Sequence, residues 1–200
     1  MKDVQILIKP NNISYDSICE VIAKAHSTLD KDGVGKLTTT GITTEEIQEK
    51  LGNNGICFVA MDGDKIAGTA SVAFVKCNGW FFKGDAATFV LLAVLPEYRR
   101  QGIAAKFEET RMNFVKQNGV EVIIGGTNSK NIASINLHTK NGFRLVSFHW
   151  NWANNQYIVR MAYWLNGCPY SKFYCSMRYN YSKIKTKLTV LGKRILKRTP

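Results

Sequence analysis

Between Phe89 and Ala104 the chain runs an apolar, strand-like stretch through Leu95 into Pro96, then into the basic, glycine-containing segment Arg99-Arg100-Gln101-Gly102-Ile103-Ala104. This passage constrains the fold more than any other. Proline cannot donate to a strand ladder, so Pro96 marks a sharp exit, and Gln101 to Gln117 then reads as a helix. A strand that turns directly into a helix points the first helical N–H groups outward, where they lack intrahelical partners and the macrodipole favours an anion. Gly102 suits such a cradle because a side chain there would hold a phosphate away from the backbone, and the small Ala104 serves the same end.

The surrounding pattern alternates strands and helices. Val4 to Ile8 reads as a strand, and Ser14 to His26 as a helix with Ile18, Val21, Ile22 and Ala25 at helical spacing. Residues 29–42, rich in Gly, Asp and Thr, read as a loop; Thr43 with Glu46 then forms a capping-box signature for a short helix ending near Gly52. Ile56 to Met61 and Lys65 to Val75 flank Asp62-Gly63-Asp64, a hairpin turn signal. A loop holding Gly79-Trp80-Phe81-Phe82 leads to the strand Ala87 to Leu95. After the central helix come a strand from Val120 to Ile124, a helix from Asn131 to Lys140, and strands Phe143 to Trp152 and Tyr157 to Leu165. This order predicts an α/β protein with a mixed central sheet flanked by helices. Trp150 and Trp152, two residues apart on one strand, read as packing residues, and the aromatic loop at 79–82 reads as core or a subunit contact, with an acceptor pocket as the alternative.

At 45% apolar over 200 residues, the chain can build a core unaided. Its five cysteines are odd in number, scattered and never two residues apart, and the three histidines are equally dispersed, so neither a disulfide framework nor a zinc site is indicated. The longest apolar run falls short of the roughly 18 residues of a membrane span. The first 25 residues lack a signal-peptide pattern, and a cytoplasmic location is expected.

With those residues in view, the passage from Arg99 to Ala104 resembles the acetyl-CoA signature Q/R-x-x-G-x-G/A of the GCN5-related N-acetyltransferase superfamily, matched by Arg99, Gly102 and Ala104. A second segment, Asn131 through Asn141-Gly142-Phe143, resembles that family's later cofactor helix in order and separation. The resemblance implies a GNAT-like acyl-CoA N-acyltransferase fold over residues 1–166; residues 167–200 fall outside it as a basic, helical extension. It implies that acetyl-CoA is the cosubstrate and that a primary amine attacks its thioester directly while both are bound. Leu92, Ala93 and Val94 would supply backbone groups to the pantetheine arm, one N–H acting as an oxyanion hole. Arg99, Arg100, Gln101, Gly102, Ile103 and Ala104 would hold the pyrophosphate, and Asn131 would contact the pantetheine region. Where the family often has a tyrosine that protonates the departing thiolate, this chain has His138, whose imidazole can do that work near neutral pH or simply hydrogen-bond at a helix end. An alkyl amine is under about 0.1% neutral at pH 7, so a base or water chain is also required. Glu20, Glu45, Glu46, Asp62 and Asp85, with His138 and His149 in the acid-free second part, are all candidates, and the sequence singles out none.

Charge divides the chain in two. Residues 1–121 carry 14 Lys and Arg against 15 Asp and Glu, whereas residues 122–200 carry 13 Lys and Arg and no acid. A one-signed field of this kind favours anionic partners, such as CoA itself or an anionic acceptor like an amino-sugar derivative. Near the C-terminus Tyr181, Ile184, Leu188, Leu191 and Ile195 recur at helical spacing among Lys183, Lys185, Lys187, Lys193, Arg194 and Lys197. This basic amphipathic helix either docks on the domain by its apolar stripe or meets an anionic membrane or another partner through residues 168–200. A homodimer, a CoA-binding module without turnover, and a membrane- or nucleic-acid-associated protein acting through this tail are further readings.

Overall fold

Asp62-Gly63-Asp64 turns the chain where expected, with Gly63 at φ 58°, joining β2 (Ile56–Asp62) to β3 (Lys65–Gly79). The structure, a computed structural model, describes residues 4–29 and 41–196, with side chains through residue 194. The loop expected over 29–42 lies largely outside the described residues. By internal packing the chain forms two units, residues 1–124 and 125–200, dividing within β5 (Val122–Asn128).

In the first unit β1 (Gln5–Ile8), β2, β3 and β4 (Phe82–Val94) lie side by side in chain order, each pair antiparallel. Helix α1 (Tyr15–Ser27) is capped by Ser14, whose hydroxyl accepts from the Ser17 N–H at 3.1 Å. Helix α2 (Thr44–Leu51) starts with the expected capping box: Thr43 Oγ1 accepts from the Glu46 N–H at 3.3 Å and the Glu46 carboxylate from the Thr43 N–H at 3.1 Å. These helices bury Ile18, Ile22, Ala25, Ile47 and Leu51 against Cys57, Val59, Leu91 and Ala93 of the sheet. Burying each of the larger aliphatic side chains is worth about 1.5–3 kcal/mol. Helix α3 (Ile103–Gln117) buries Ile103, Phe107 and Val115, along with the ion pair Glu108–Arg111, whose guanidinium lies 4.1 Å from the Phe89 ring centroid.

The sequence ends β3 at Val75 and begins the next strand at Ala87, whereas the ribbon continues to Gly79 opposite Phe82. Lys76, Asn78, Lys83 and Asp85 carry no apolar alternation to signal a strand. Backbone pairing and the cross-strand contact of Lys76 with Asp85, 2.6 Å, hold it instead. At its tip Phe81 is buried and Trp80, itself only partly buried, meets it edge-on.

In the second unit the strand order is β5, β7 (Gln156–Trp164), β6 (Arg144–Asn151), with β6 and β7 antiparallel. Helix α4 (Ile132–Lys140) precedes β6, and the 25-residue α5 (Lys172–Leu196) follows β7. β6 is the outer strand, and an outer strand exposes unpaired backbone groups. Two hydroxyls of α5 satisfy them: the Phe148 N–H donates to Ser182 Oγ at 2.9 Å, and Thr186 Oγ1 donates to the Phe148 carbonyl at 2.9 Å. Cys175 and Val190 are buried on the same side of the helix. Trp150 packs on Tyr157, 4.5 Å between centroids, while Trp152 is half exposed beneath the Lys193 ammonium.

Candidate active site

The end of β4 departs from regular strand geometry. Thr69 of β3 pairs with Ala93 and Ser71 with Val90, so Leu91 and Leu92 share one partner position and form a bulge. Leu91 adopts φ 56°, a left-handed conformation costing a leucine about 1–3 kcal/mol, and strain of this kind gathers at functional sites. Beyond the bulge the Leu95 N–H bonds the Ala67 carbonyl at 2.9 Å, and pairing alternates from there. Leu92 and Val94 therefore turn their N–H and C=O groups away from β3, while Ala93 faces it. No strand periodicity in the sequence marks this bulge, because every position from Ala86 to Leu95 except Thr88 is apolar.

Pro96–Tyr98 forms a single 3-10 turn. The Tyr98 hydroxyl, on a buried ring, donates to Asp62 Oδ2 at 2.7 Å and ties the turn to the β2–β3 hairpin. Arg99 faces inward: its Nε donates to the Val94 carbonyl at 3.2 Å and its Nη2 to the Ala25 carbonyl at 2.6 Å, joining the strand exit to the end of α1. Gln101 donates from its side chain to the Glu97 carbonyl at 3.1 Å. Arg100, at φ 60°, and Gly102, at φ 80°, both sit in the left-handed region. Such a sequence of conformations turns successive N–H groups to one side as an anion nest. Gly102 caps α3 with no side-chain hydrogen bond, so the N–H groups of Ile103 and Ala104 receive no cap from a side chain. A Cβ added at Gly102 meets nothing within 4 Å, so the space over the cradle is open and would take a pyrophosphate.

His26 is the residue that sequence reading passed over. It lies on the buried face of α1, eight residues after Ile18, which is the one signal that would have found it. Its ring donates to the backbone carbonyl of Leu92, just past the bulge. Burial, assisted by the Arg99 charge and opposed by that carbonyl, lowers its pKa from 6.5 to about 4. It is therefore a neutral imidazole in physiological conditions. Among the proposed bases, Asp62 is engaged by Tyr98, Asp85 by Lys76 and Glu46 by the capping box, while Glu20 and Glu45 are exposed.

The remaining three candidates belong to the second unit. Asn131 caps α4, its Oδ1 accepting from the Ser134 N–H at 3.1 Å, which leaves its carboxamide N–H₂ group as a donor. His138 is buried on α4, 4.9 Å from the Phe143 ring, and a Cβ placed on Gly125 would stand 3.5 Å from its Nε2. His149 is half-buried on β6, its pKa lowered by burial and by Arg160.

A strained strand bulge running into an open helix N-terminus gives the chain a geometry suited to an anion beside a strand edge. Comparison with known proteins gives the class: residues 25–143 match the acetyltransferase (GNAT) family, and the chain belongs to that family. N-alpha-acetyltransferase 30 of Schizosaccharomyces pombe is 31% identical over 86 residues, which are 43% of this chain and 55% of that protein. The match thus spans about half the length of that relative. Among solved structures, the ribosomal-protein-S18-alanine N-acetyltransferase of Escherichia coli superposes with a TM-score of 0.56 at 17% identity, over 80% of this chain and 92% of that one. A GNAT family acetyltransferase of Elizabethkingia anophelis with acetyl-CoA bound gives 0.58 at 16%, covering 82% and 100%. Arabidopsis thaliana NAA60 in complex with a bisubstrate analogue gives 0.58 at 14%, covering 81% and 100%. At these identities the structures show the fold, the expected α/β acyl-CoA N-acyltransferase fold with its mixed sheet flanked by helices.

Proposed function

We propose that the chain transfers an acetyl group from acetyl-CoA to the α-amine of a peptide or protein, within a domain spanning residues 1–166. The observation that carries this reading is the bulge at Leu91 followed by the open cradle at Gly102, in a chain of this family. Acetyl-CoA, when bound, supplies the thioester that the amine attacks directly while both are held. The N–H groups of Arg100, Gln101, Gly102, Ile103 and Ala104 are the proposed pyrophosphate donors, and Arg99 shapes that loop from behind. Leu92, Ala93 and Val94 line the proposed pantetheine edge, where an N–H turned away from β3 stabilises charge on the thioester oxygen. His26 fixes the Leu92 carbonyl and so the direction of that edge. Asn131, through its carboxamide, is proposed to meet the pantetheine arm, and His138 to give the departing thiolate its proton.

The α-amine is preferred as acceptor on two grounds. The similar fission-yeast protein is named an N-alpha-acetyltransferase, and an α-amine of pKa about 8 is roughly a tenth neutral at pH 7, against under about 0.1% for a lysine amine. Such an acceptor needs the least help from a base. The test measures CoA release and product mass with a peptide bearing a free N-terminus, an N-blocked peptide bearing lysine, and an amino-sugar phosphate. Acetylation of the free N-terminus is expected to dominate. Preference for the sugar phosphate would return the acceptor to the anionic class, and acetyl-CoA binding without turnover on any amine would leave a binding module. For His138, H138Q and H138A are expected to lower kcat with little change in KM for either substrate; a lowered Tm with an unchanged kcat would reduce its role to packing.

A further inference from the structure

Helix α5 docks on β6 by its hydroxyl-bearing side, not by the apolar stripe visible in the sequence. The docked face carries Cys175, Ser182, Thr186 and Val190. At about 100° per residue, Phe173, Met177, Tyr181, Ile184, Leu188 and Leu191 fall together on the opposite side. They are 77%, 46%, 58%, 62%, 64% and 56% exposed. Six large apolar side chains in one row, about 27 Å long at 1.5 Å per residue, form a patch that a protein surface does not leave open without a use. Lys187 follows one margin of the row and Lys185 the other, and no carboxylate side chain lies anywhere in residues 122–200.

We propose that the open face of α5 is a docking surface for an anionic lipid bilayer, on which the protein lies peripherally. The apolar row enters the boundary between headgroups and acyl chains while the lysines along its margins meet the headgroups. Three observations select this occupant. The flanking charge is of one sign and asks for an anionic partner. A second copy of the chain would bring the same lysines face to face and be repelled. One side of α5 is already fastened to Phe148, so a protein groove that engulfs a helix cannot close around it, whereas a flat surface can reach the exposed half. No helix among the described residues is long and apolar enough to cross a membrane, which agrees with lying on one.

The test is co-sedimentation of the full chain with vesicles of phosphatidylcholine alone or mixed in equal parts with phosphatidylserine, at low and high salt. The wild type is expected to pellet with the anionic vesicles, in a salt-sensitive manner, and to stay in solution with the neutral ones. Ile184→Glu with Leu188→Glu is expected to abolish pelleting. Lys185→Gln with Lys187→Gln is expected to lower the partition about 30-fold, on the basis of about 1 kcal/mol per basic residue. All four positions are exposed, so an unchanged Tm and acetyl-CoA titration keep both variants interpretable. Equal retention on neutral vesicles, binding that survives the double glutamate change, or no pelleting of the wild type would each overturn the proposal. So would concentration-dependent dimerisation in sedimentation velocity that the glutamates remove, since the face would then belong to a second copy.

Discussion

His26 stands in a low-dielectric surround beside the Arg99 guanidinium, and protonating it there is costly. Its pKa of about 4 in the fold, against 6.5 outside it, ties stability to pH. Above pH 6.5 the group is neutral in both states and contributes no slope. As pH falls from 6.5 towards 4 the unfolded chain takes up a proton that the folded one refuses, so stability is lost. The loss amounts to about 2 kcal/mol by pH 5 and about 3 kcal/mol by pH 4. Denaturant unfolding at pH 7 and pH 5 is expected to show this decrement in the wild type and not in His26→Asn. Equal slopes in the two proteins would show that His26 is protonated or exposed in the native state. At this scale the open turn at Gly102 was legible, because an exit proline, basic residues and a glycine leave a local record. Leu91 and His26 were not, since their importance comes from a bulge and from a contact 66 positions apart in the chain.

Among the elements, α3 connects the cradle to the core, and it carries a fully buried ion pair. Arg111 Nη2 and Glu108 Oε2 meet at 2.5 Å one turn apart, with the guanidinium also over Phe89. A buried charge stripped of its partner is worse than none at all. Arg111→Ala is therefore expected to cost about 3–5 kcal/mol in denaturant unfolding, and Glu108→Leu with Arg111→Met to recover most of that. A double variant no more stable than the single would show that the pair contributes through something besides charge compensation. The order of strands and helices was legible throughout, since apolar periodicity and caps such as Thr43 with Glu46 are local signals. The face by which α5 docks was not. Hydrophobicity ranks Ser182 and Thr186 below Ile184 and Leu188, yet it is the hydroxyls that satisfy the open backbone of Phe148, leaving the apolar row outside.

Over the whole molecule, the acid-free stretch from residue 122 onward and the near-neutral stretch before it set a field that favours anions. A field of that sign suits the proposed phosphate-bearing cosubstrate, and on α5 the same charge borders an apolar row. The proposed function depends first on whether the cradle at Gly102 binds what its geometry suits. Calorimetric titration of acetyl-CoA and CoA into the wild type and into Gly102→Glu tests this most directly. Micromolar binding by the wild type is expected, weakened at least about 100-fold in the variant, since a carboxylate would then oppose the pyrophosphate within the nest. Equal binding by a folded variant would place the cofactor elsewhere, and no binding by the folded wild type would contradict the acetyltransferase reading itself.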